Sequence, residues 1–240
     1  MASKFFGEFM GTMILILMGN GVVANVLLKR SKAEGAGWLA ITTGWAFAVM
    51  TGIFTAIACG SPDAHLNPAV TLGFAVKTGD FSLLAPFVLA QMLGAMAGAL
   101  LVWLNFLPHW AVTPDPDAKF ACFGTSPAID SRGPNLFTEA LGAFVLILVV
   151  AAMGSKATGT VPPGVGPYLV GMLVWAIGLS LGGTTGYAIN PARDLGPRIM
   201  HAVLPIAQKG ATNWSYAPVP VLGPLAGAAV AGLLVRVVGF

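Results

Sequence analysis

The chain has 240 residues, of which 56% are hydrophobic and only 9% charged, and its mean hydropathy is +0.82. A water-facing surface draws on a charged fraction of about 25%, so there are too few charges here to coat a soluble globule, and the surface must face lipid. The net charge of +3 does not signal nucleic acid, because the 12 Lys and Arg are scattered, with no basic run interleaved with aromatics.

A helical span needs about 20 mostly apolar residues. The first run, Phe9–Leu28, is uncharged. The opening Met-Ala-Ser-Lys-Phe-Phe-Gly-Glu has no basic leader followed by a small-residue cleavage site, so the run reads as a retained helix rather than a signal peptide. The second span, Gly35–Pro62, is bounded by Glu34 and Asp63. A piece too short to cross comes next, Asn67–Val76, closed by Lys77. Phe81–Val112 is the third span, and the loop from Pro108 to Pro134, with Asp115, Asp117 and Asp130, is expected to be a solvated cover over one mouth. Asn135–Met153, interrupted only by Glu139, is the fourth. Ala157–Ala192 has no charge and is too long for a single span, so it holds the fifth span and the approach to a second short piece. That piece, Asn190–Val203, carries Arg193, Asp194 and Arg198 before the last span, Trp214–Val235. Six spans leave little over for a soluble domain, so residues 1–240 are expected to form one transmembrane domain. Cys59 and Cys122 are too few for a disulfide framework and fall on opposite sides of this topology.

The two short pieces open on the same words, Ala-His-Leu-Asn67-Pro68-Ala69-Val and Tyr-Ala-Ile-Asn190-Pro191-Ala192-Arg, offset by 123 residues. Gly7-Glu8-Phe9-Met10-Gly11 answers Thr138-Glu139-Ala140-Leu141-Gly142 at 131, and Leu93-Gly94 to Gly98 answers Leu222-Gly223 to Gly227 at 129. The chain is therefore a duplicated unit, about 1–112 and 133–240, joined by a loop over 113–132. Each unit has three spans and one short segment. Three is odd, so the second copy sits inverted relative to the first, and the short segments enter from opposite sides. The expected fold is all-α: six transmembrane helices with two re-entrant half-helices.

Asn is a favoured N-cap and Pro suits the first helical position, so Asn67-Pro68 and Asn190-Pro191 are strong helix starts. With its side-chain oxygen used on the first turn, each Asn keeps an NH2 donor pointing away from its helix. Each N-terminus also presents roughly half a positive elementary charge, so two of them facing one another repel cations. The residues before each Asn cannot be helical, and irregular backbone at membrane depth is tolerated only in a protein interior or beside a water-filled cavity. The carbonyls of Asp63, Ala64 and His65 on one side, and Gly186 and Ala188 on the other, are the expected acceptors lining such a path. Acceptors leading to central donors suit hydroxyl-bearing neutral solutes. A lone Asn-Pro would be an ordinary helix start; two in register with an inverted repeat point to a passive channel.

At these residues the sequence resembles the major intrinsic proteins, the aquaporin and aquaglyceroporin family, over nearly the whole chain. The paired Asn-Pro-Ala boxes, Glu8 and Glu139 in the first and fourth spans, and Arg193 after the second box carry the resemblance. It implies one pore per subunit, a homotetramer in the plasma membrane, and both termini inside. On that topology Lys4, Lys77, Lys156 and Arg236 face the cytoplasm, whereas Lys29, Arg30, Lys32, Lys119, Arg132 and Lys209 lie opposite, against the usual loop-charge bias. Asp194, after Asn-Pro-Ala-Arg, is similar to the glycerol-conducting branch. The family's constriction maps to Trp45, Gly178, Tyr187 and Arg193. Gly178 stands where water-selective members have His, which implies a wider ring, with Trp45 and Tyr187 an apolar corner for a carbon backbone and Arg193 a donor to hydroxyls. Tyr187 replaces the Phe usual in glycerol channels, and the approach Cys59–His65 is about two residues longer than the family pattern.

Glu8 and Glu139 admit a proton-relay reading, but equivalent positions in the repeat favour support of the irregular backbone, and the resemblance agrees. Gly178-Leu-Ser-Leu-Gly182 has the spelling of a nucleophile elbow without its strand–turn–helix context; like Gly94/Gly98 and Gly223/Gly227, it reads as close helix packing. His109 and His201 have no partners at ligand spacing, so no metal or cofactor is expected and no enzyme activity. The expected permeants are glycerol, related polyols and water. A water-selective pore, a channel for neutral weak acids such as lactic acid, and a secondary transporter are the alternatives. A transporter would need a coupling-ion site, and the only interior acids already have a structural role.

Overall fold

The computed structural model describes residues 3–162 and 164–240, which are helical with no strand among them. Helix α1 spans Lys4–Leu27, with the Ser3 hydroxyl accepting the Phe6 N–H as its N-cap. Next in the chain are α2 (Gly37–Ala58), the short α3 (Pro68–Thr78) and α4 (Leu84–Asn105). Two helices of six residues, α5 (Leu107–Val112) and α6 (Pro116–Ala121), lie in the connection to α7 (Arg132–Met153). Helix α8 (Gly166–Ser180), the short α9 (Pro191–Val203) and α10 (Pro218–Val238) complete the chain.

Five of these, α1, α2, α4, α7 and α10, have 21 to 24 residues and are apolar enough to cross a membrane. The sixth span is shorter than the expectation drawn from its long uncharged run. Helix α8 keeps only 15 residues, about 22 Å at 1.5 Å per residue. About half of the remaining run becomes the turns over 181–185 and the irregular approach to α9. Helices α3 and α9, of 11 and 13 residues, reach only about half of a 30 Å hydrocarbon layer.

The repeat seen in the sequence governs the packing. Helix α1 packs on α4 as α7 packs on α10, while each half-helix rests on the third span of the opposite unit, α3 on α10 and α9 on α4. The shared glycine words make this approach possible. A Cβ at Gly94 or Gly98 would strike the Phe9 or Met13 carbonyl of α1, and one at Gly223 or Gly227 the Leu136 or Ala140 carbonyl of α7. Outward the helices carry exposed large apolar side chains such as Leu39, Phe47, Leu89, Phe137, Leu222 and Leu233, a surface that water does not solvate.

The loop from Pro108 to Pro134 is not simply the solvated cover expected of it. Asp115, Asp117 and Asp130 are exposed, but Lys119, Phe120, Cys122 and Phe123 are buried. Phe120 and Phe123 pack edge-on against His201 of α9, and the Lys119 ammonium donates to the Ala207 carbonyl. The segment enters the protein rather than lying over it.

Candidate functional site

Each half-helix starts as its sequence dictates. The Asn67 Oδ1 accepts the Ala69 N–H at 2.8 Å, and the Asn190 Oδ1 accepts the Ala192 and Arg193 N–H groups at 3.0 and 3.1 Å. Pro68 and Pro191 fill the first helical position, where no N–H partner is needed. Helix α3 stops at Gly79, in the left-handed region at φ +79°, with Lys77 in the last turn. Helix α9 ends on the Lys209 ammonium, which donates to the His201, Ala202 and Leu204 carbonyls at 2.6–2.9 Å. This is the favourable end of the helix dipole for a cation.

The two asparagines are tied across the centre. Asn67 Nδ2 donates to the Ile189 carbonyl and Asn190 Nδ2 to the Leu66 carbonyl, each at 2.9 Å. The sequence alone leaves both amide groups free, but an NH2 has two donors, and one of each pair is spent on the opposite approach. The other remains for the cavity that both asparagines line.

The approaches share one irregular conformation. Ala64 and Leu66 before the first Asn, and Tyr187 and Ile189 before the second, all have positive φ, between 37° and 52°. A non-glycine residue there costs roughly 1–2 kcal/mol. What holds them is a buried carboxylate on each side. Glu8 accepts the Ser61 hydroxyl, the His65 and Leu66 N–H groups and the Gln91 amide, all at 2.8–2.9 Å. Glu139 accepts the Thr185 hydroxyl at 2.7 Å and the Ala188 and Ile189 N–H groups at 3.0 and 2.8 Å. With the N–H groups turned outward to the glutamates, the carbonyls of Ala64, His65, Tyr187 and Ala188 have no protein donor among the described residues. The residues of both approaches line a cavity of about 500 Å³. The apolar side chains of Val49, Ile53, Val70, Leu146, Val150 and Val174 also line it. A lining that combines unpaired carbonyls with apolar side chains suits a solute that carries both hydroxyls and carbons.

Trp45, Tyr187 and Arg193 stand on the wall of this cavity. The Arg193 guanidinium lies 4.2 Å from the centre of the Trp45 ring and reaches the Phe123 carbonyl at 3.5 Å. That carbonyl also receives the Asn20 amide at 3.4 Å. Pro68, Ala69, Pro191 and Ala192 of the two boxes lie off this wall, and so do Gly178 and Gly186. Gly178 does not widen the passage by leaving space open, because the Tyr187 ring occupies that space: a Cβ on Gly178 would lie 2.8 Å from Tyr187 Cζ and 3.0 Å from its hydroxyl. Gly186 lies behind the approach against Thr125, and the Tyr187 and Ile189 backbone takes its place on the wall.

Asp194, next to Arg193, is one half of a buried ion pair. Its Oδ1 accepts Arg198 Nε at 2.7 Å, and its Oδ2 accepts the Thr125 N–H and hydroxyl. The Arg198 guanidinium also donates to the carbonyls of Thr125, Thr212 and Asn213, binding two loops to α9. Asp63, in the lengthened approach, pairs with Lys4 at 2.7 Å where the cavity opens. The buried Ser61 hydroxyl accepts the Ala64 N–H at 3.3 Å, so the longer approach is folded into a turn held on Glu8. Sequence reasoning overlooked Gln91, Arg198 and the Phe123 carbonyl. Only Arg198 announced itself, four residues after Asp194 on one helix face.

Comparison with known proteins matches residues 1–235 to the model of the major intrinsic protein family. A glycerol uptake facilitator protein of Streptococcus pneumoniae is 52% identical over 235 residues, covering 98% of both chains. A probable glycerol uptake facilitator of Thermotoga maritima is 50% identical over 226 residues, 94% of each. Among solved structures, the aquaglyceroporin of Plasmodium falciparum superposes with a TM-score of 0.83 at 27% identity, covering 97% of this chain and 94% of that one.

Proposed function

The chain belongs to the major intrinsic protein family, and from that premise we propose that it conducts glycerol and related small polyols, together with water, passively across the cell membrane. The observation that carries this is the pair of cross-tied asparagines at the head of two half-helices, on a cavity lined by both unpaired backbone carbonyls and apolar side chains. Trp45, Tyr187 and Arg193 form the constriction. The carbons of a polyol lie in the Trp45–Tyr187 corner while the guanidinium and the approach carbonyls take its hydroxyls. Two helix N-termini and Arg193 set positive potential along the narrowest part, which opposes cations and protons. Glu8, Glu139 and Asp194 hold the backbone and do not touch the permeant. Residues 1–240 act as one channel domain of two repeats, about 1–112 and 133–240, and four copies associate through part of the exposed apolar belt. The names of the relatives, glycerol uptake facilitators, support the choice of permeant.

The test is solute entry into vesicles carrying the purified protein. Glycerol is expected to enter rapidly, without saturation at low millimolar concentration and without response to a proton gradient, and lactic acid and larger polyols more slowly. Entry of water alone would overturn the assignment of the permeant. Mass measurement of the detergent-solubilised protein tests the tetramer.

A further inference from the structure

The Tyr187 ring is wedged between the lumen and a seat with three sides. Behind the ring lie Gly178, at the end of α8, and Gly182, in the turn just beyond it; neither lines the cavity, whereas Tyr187 does. A Cβ at Gly182 would overlap Tyr187 Cδ1, meet the Gly178 carbonyl at 2.6 Å and come within 2.9 Å of the Trp38 ring, as one at Gly178 would meet Cζ and the hydroxyl. The third side is Trp38, edge-on to Tyr187 with ring centres 5.7 Å apart at 81°, its Nε1 donating to the Gly178 carbonyl at 3.1 Å. Gly182 is not needed for its backbone, since its φ lies outside the left-handed region. What the position supplies is the absence of a side chain.

We propose that Gly182 is a specificity-determining position of this channel: by leaving room for the Tyr187 ring to lie back against Trp38 and Gly178, it sets the bore at the constriction and so admits carbon-bearing solutes. The proposal rests on the reading of Trp45, Tyr187 and Arg193 as the constriction. Non-bonded carbon atoms sit roughly 3.5–4.0 Å apart, so a methyl at position 182 forces the ring to move by roughly an ångström. Gly178 and Trp38 close the other directions, and the ring yields toward the lumen. A shift of that size excludes a three-carbon polyol before it excludes water. It also accounts for a filter that carries the larger Tyr without closing: the phenol occupies volume that two glycines vacate, and its buried hydroxyl, which has no partner among the described residues, lies over Gly178 rather than across the passage.

The experiment measures water and glycerol permeability of the full-length protein in proteoliposomes, for wild type, Gly182→Ala, Tyr187→Ala and the double variant. Gly182→Ala is expected to lower glycerol permeability at least about tenfold, the low end of what one misfitted carbon costs in a tight site, with water permeability changed by less than about twofold. The double variant regains glycerol permeability, because the atom that clashed is gone. Unchanged glycerol permeability in Gly182→Ala overturns the proposal. So does a joint loss of both permeabilities that Tyr187→Ala does not restore, since Gly182 would then serve only the close approach of the Gly178 carbonyl. Tyr187→Ala alone separates the two readings. If it leaves the glycerol-to-water ratio untouched, the constriction itself is wrongly placed; if it shifts the ratio while Gly182→Ala does not, only the seat fails.

Discussion

Replacing Glu139 by Gln changes no volume and removes one charge, which makes it a sharp test of what the buried carboxylates do. The two oxygens of Glu139 accept from three donors: the Thr185 hydroxyl and Ala188 N–H at one oxygen, the Ile189 N–H at the other. A glutamine must turn its NH2 toward one of these oxygens' sites. Thr185 can rotate and accept, but the backbone cannot, so either Ala188 or Ile189 loses its acceptor. A buried N–H left unpaired costs about 1–3 kcal/mol, and the remaining bonds weaken from charge-assisted to neutral. Relief of burying a charge offsets part of that, leaving a net loss of about 2–3 kcal/mol. In a thermal melt of the detergent-solubilised protein this is a midpoint lower by roughly 4–12 °C. Glycerol permeability per inserted protein should fall as well, because the same segment carries Tyr187 and the Ile189 carbonyl that holds Asn67. A proton-relay role predicts the opposite pairing, with stability kept or raised. Glu139→Gln protein that melts at or above the wild-type temperature and conducts glycerol normally would refute the supporting role.

Other contacts set three further outcomes. Asn67→Ser retains an oxygen able to cap Ala69 but cannot reach the Ile189 carbonyl, so stability should drop by about 1 kcal/mol, one net hydrogen bond, with glycerol permeability in vesicles falling more than the melt alone implies. Arg198→Met leaves the Asp194 carboxylate buried without its counter-charge, held only by Thr125, at a cost of about 3–5 kcal/mol; adding Asp194→Asn should recover part of the lost melting temperature. Gly21→Ala and Gly227→Ala should diverge in the same melt. A Cβ at Gly21 meets nothing within 4 Å and gains up to about 1 kcal/mol of helix propensity, whereas one at Gly227 collides with the Ala140 carbonyl and pushes α7 from α10.

The parts of this fold that could be read from sequence are those whose physics is local or repeated. Asn-Pro marks a helix start by its own capping chemistry, and Glu8 and Glu139 stand out as lone acids in apolar runs whose neighbours recur 131 residues apart. The parts that could not be read depend on backbone placement. Phe123 contributes a carbonyl, which every residue type has, and what makes it matter is that a loop enters the protein near Asn20 and Arg193. Gly178 was legible as a missing side chain, but not as a space that Tyr187 fills, because that contact depends on the left-handed turn at φ +37° three residues before the box. Lys119 and Lys209 counted as loop charges in the orientation argument, yet both ammonium groups are engaged by backbone carbonyls. Charge counting treats as free what the fold has already used.

Stability and conduction here draw on the same groups, and the division between them comes from the geometry of a peptide unit. An extended chain in which every second residue is left-handed directs N–H groups to one side and carbonyls to the other. On the N–H side each approach meets a carboxylate, which offsets the cost of four strained residues and fixes them in place. On the carbonyl side, among the described residues, partners are supplied only at the two innermost positions, Leu66 and Ile189, where the asparagines close the centre. On the proposed reading the carbonyls farther out serve the permeant, and a solute's hydroxyls replace water one bond at a time without disturbing the bonds to Glu8, Glu139 and the asparagines. A glutamate that let go of its N–H groups would free the approach to rotate and turn those carbonyls away, so the same two side chains that stabilise the structure also keep the path open. That is why this channel places two acids where a membrane protein would otherwise exclude them.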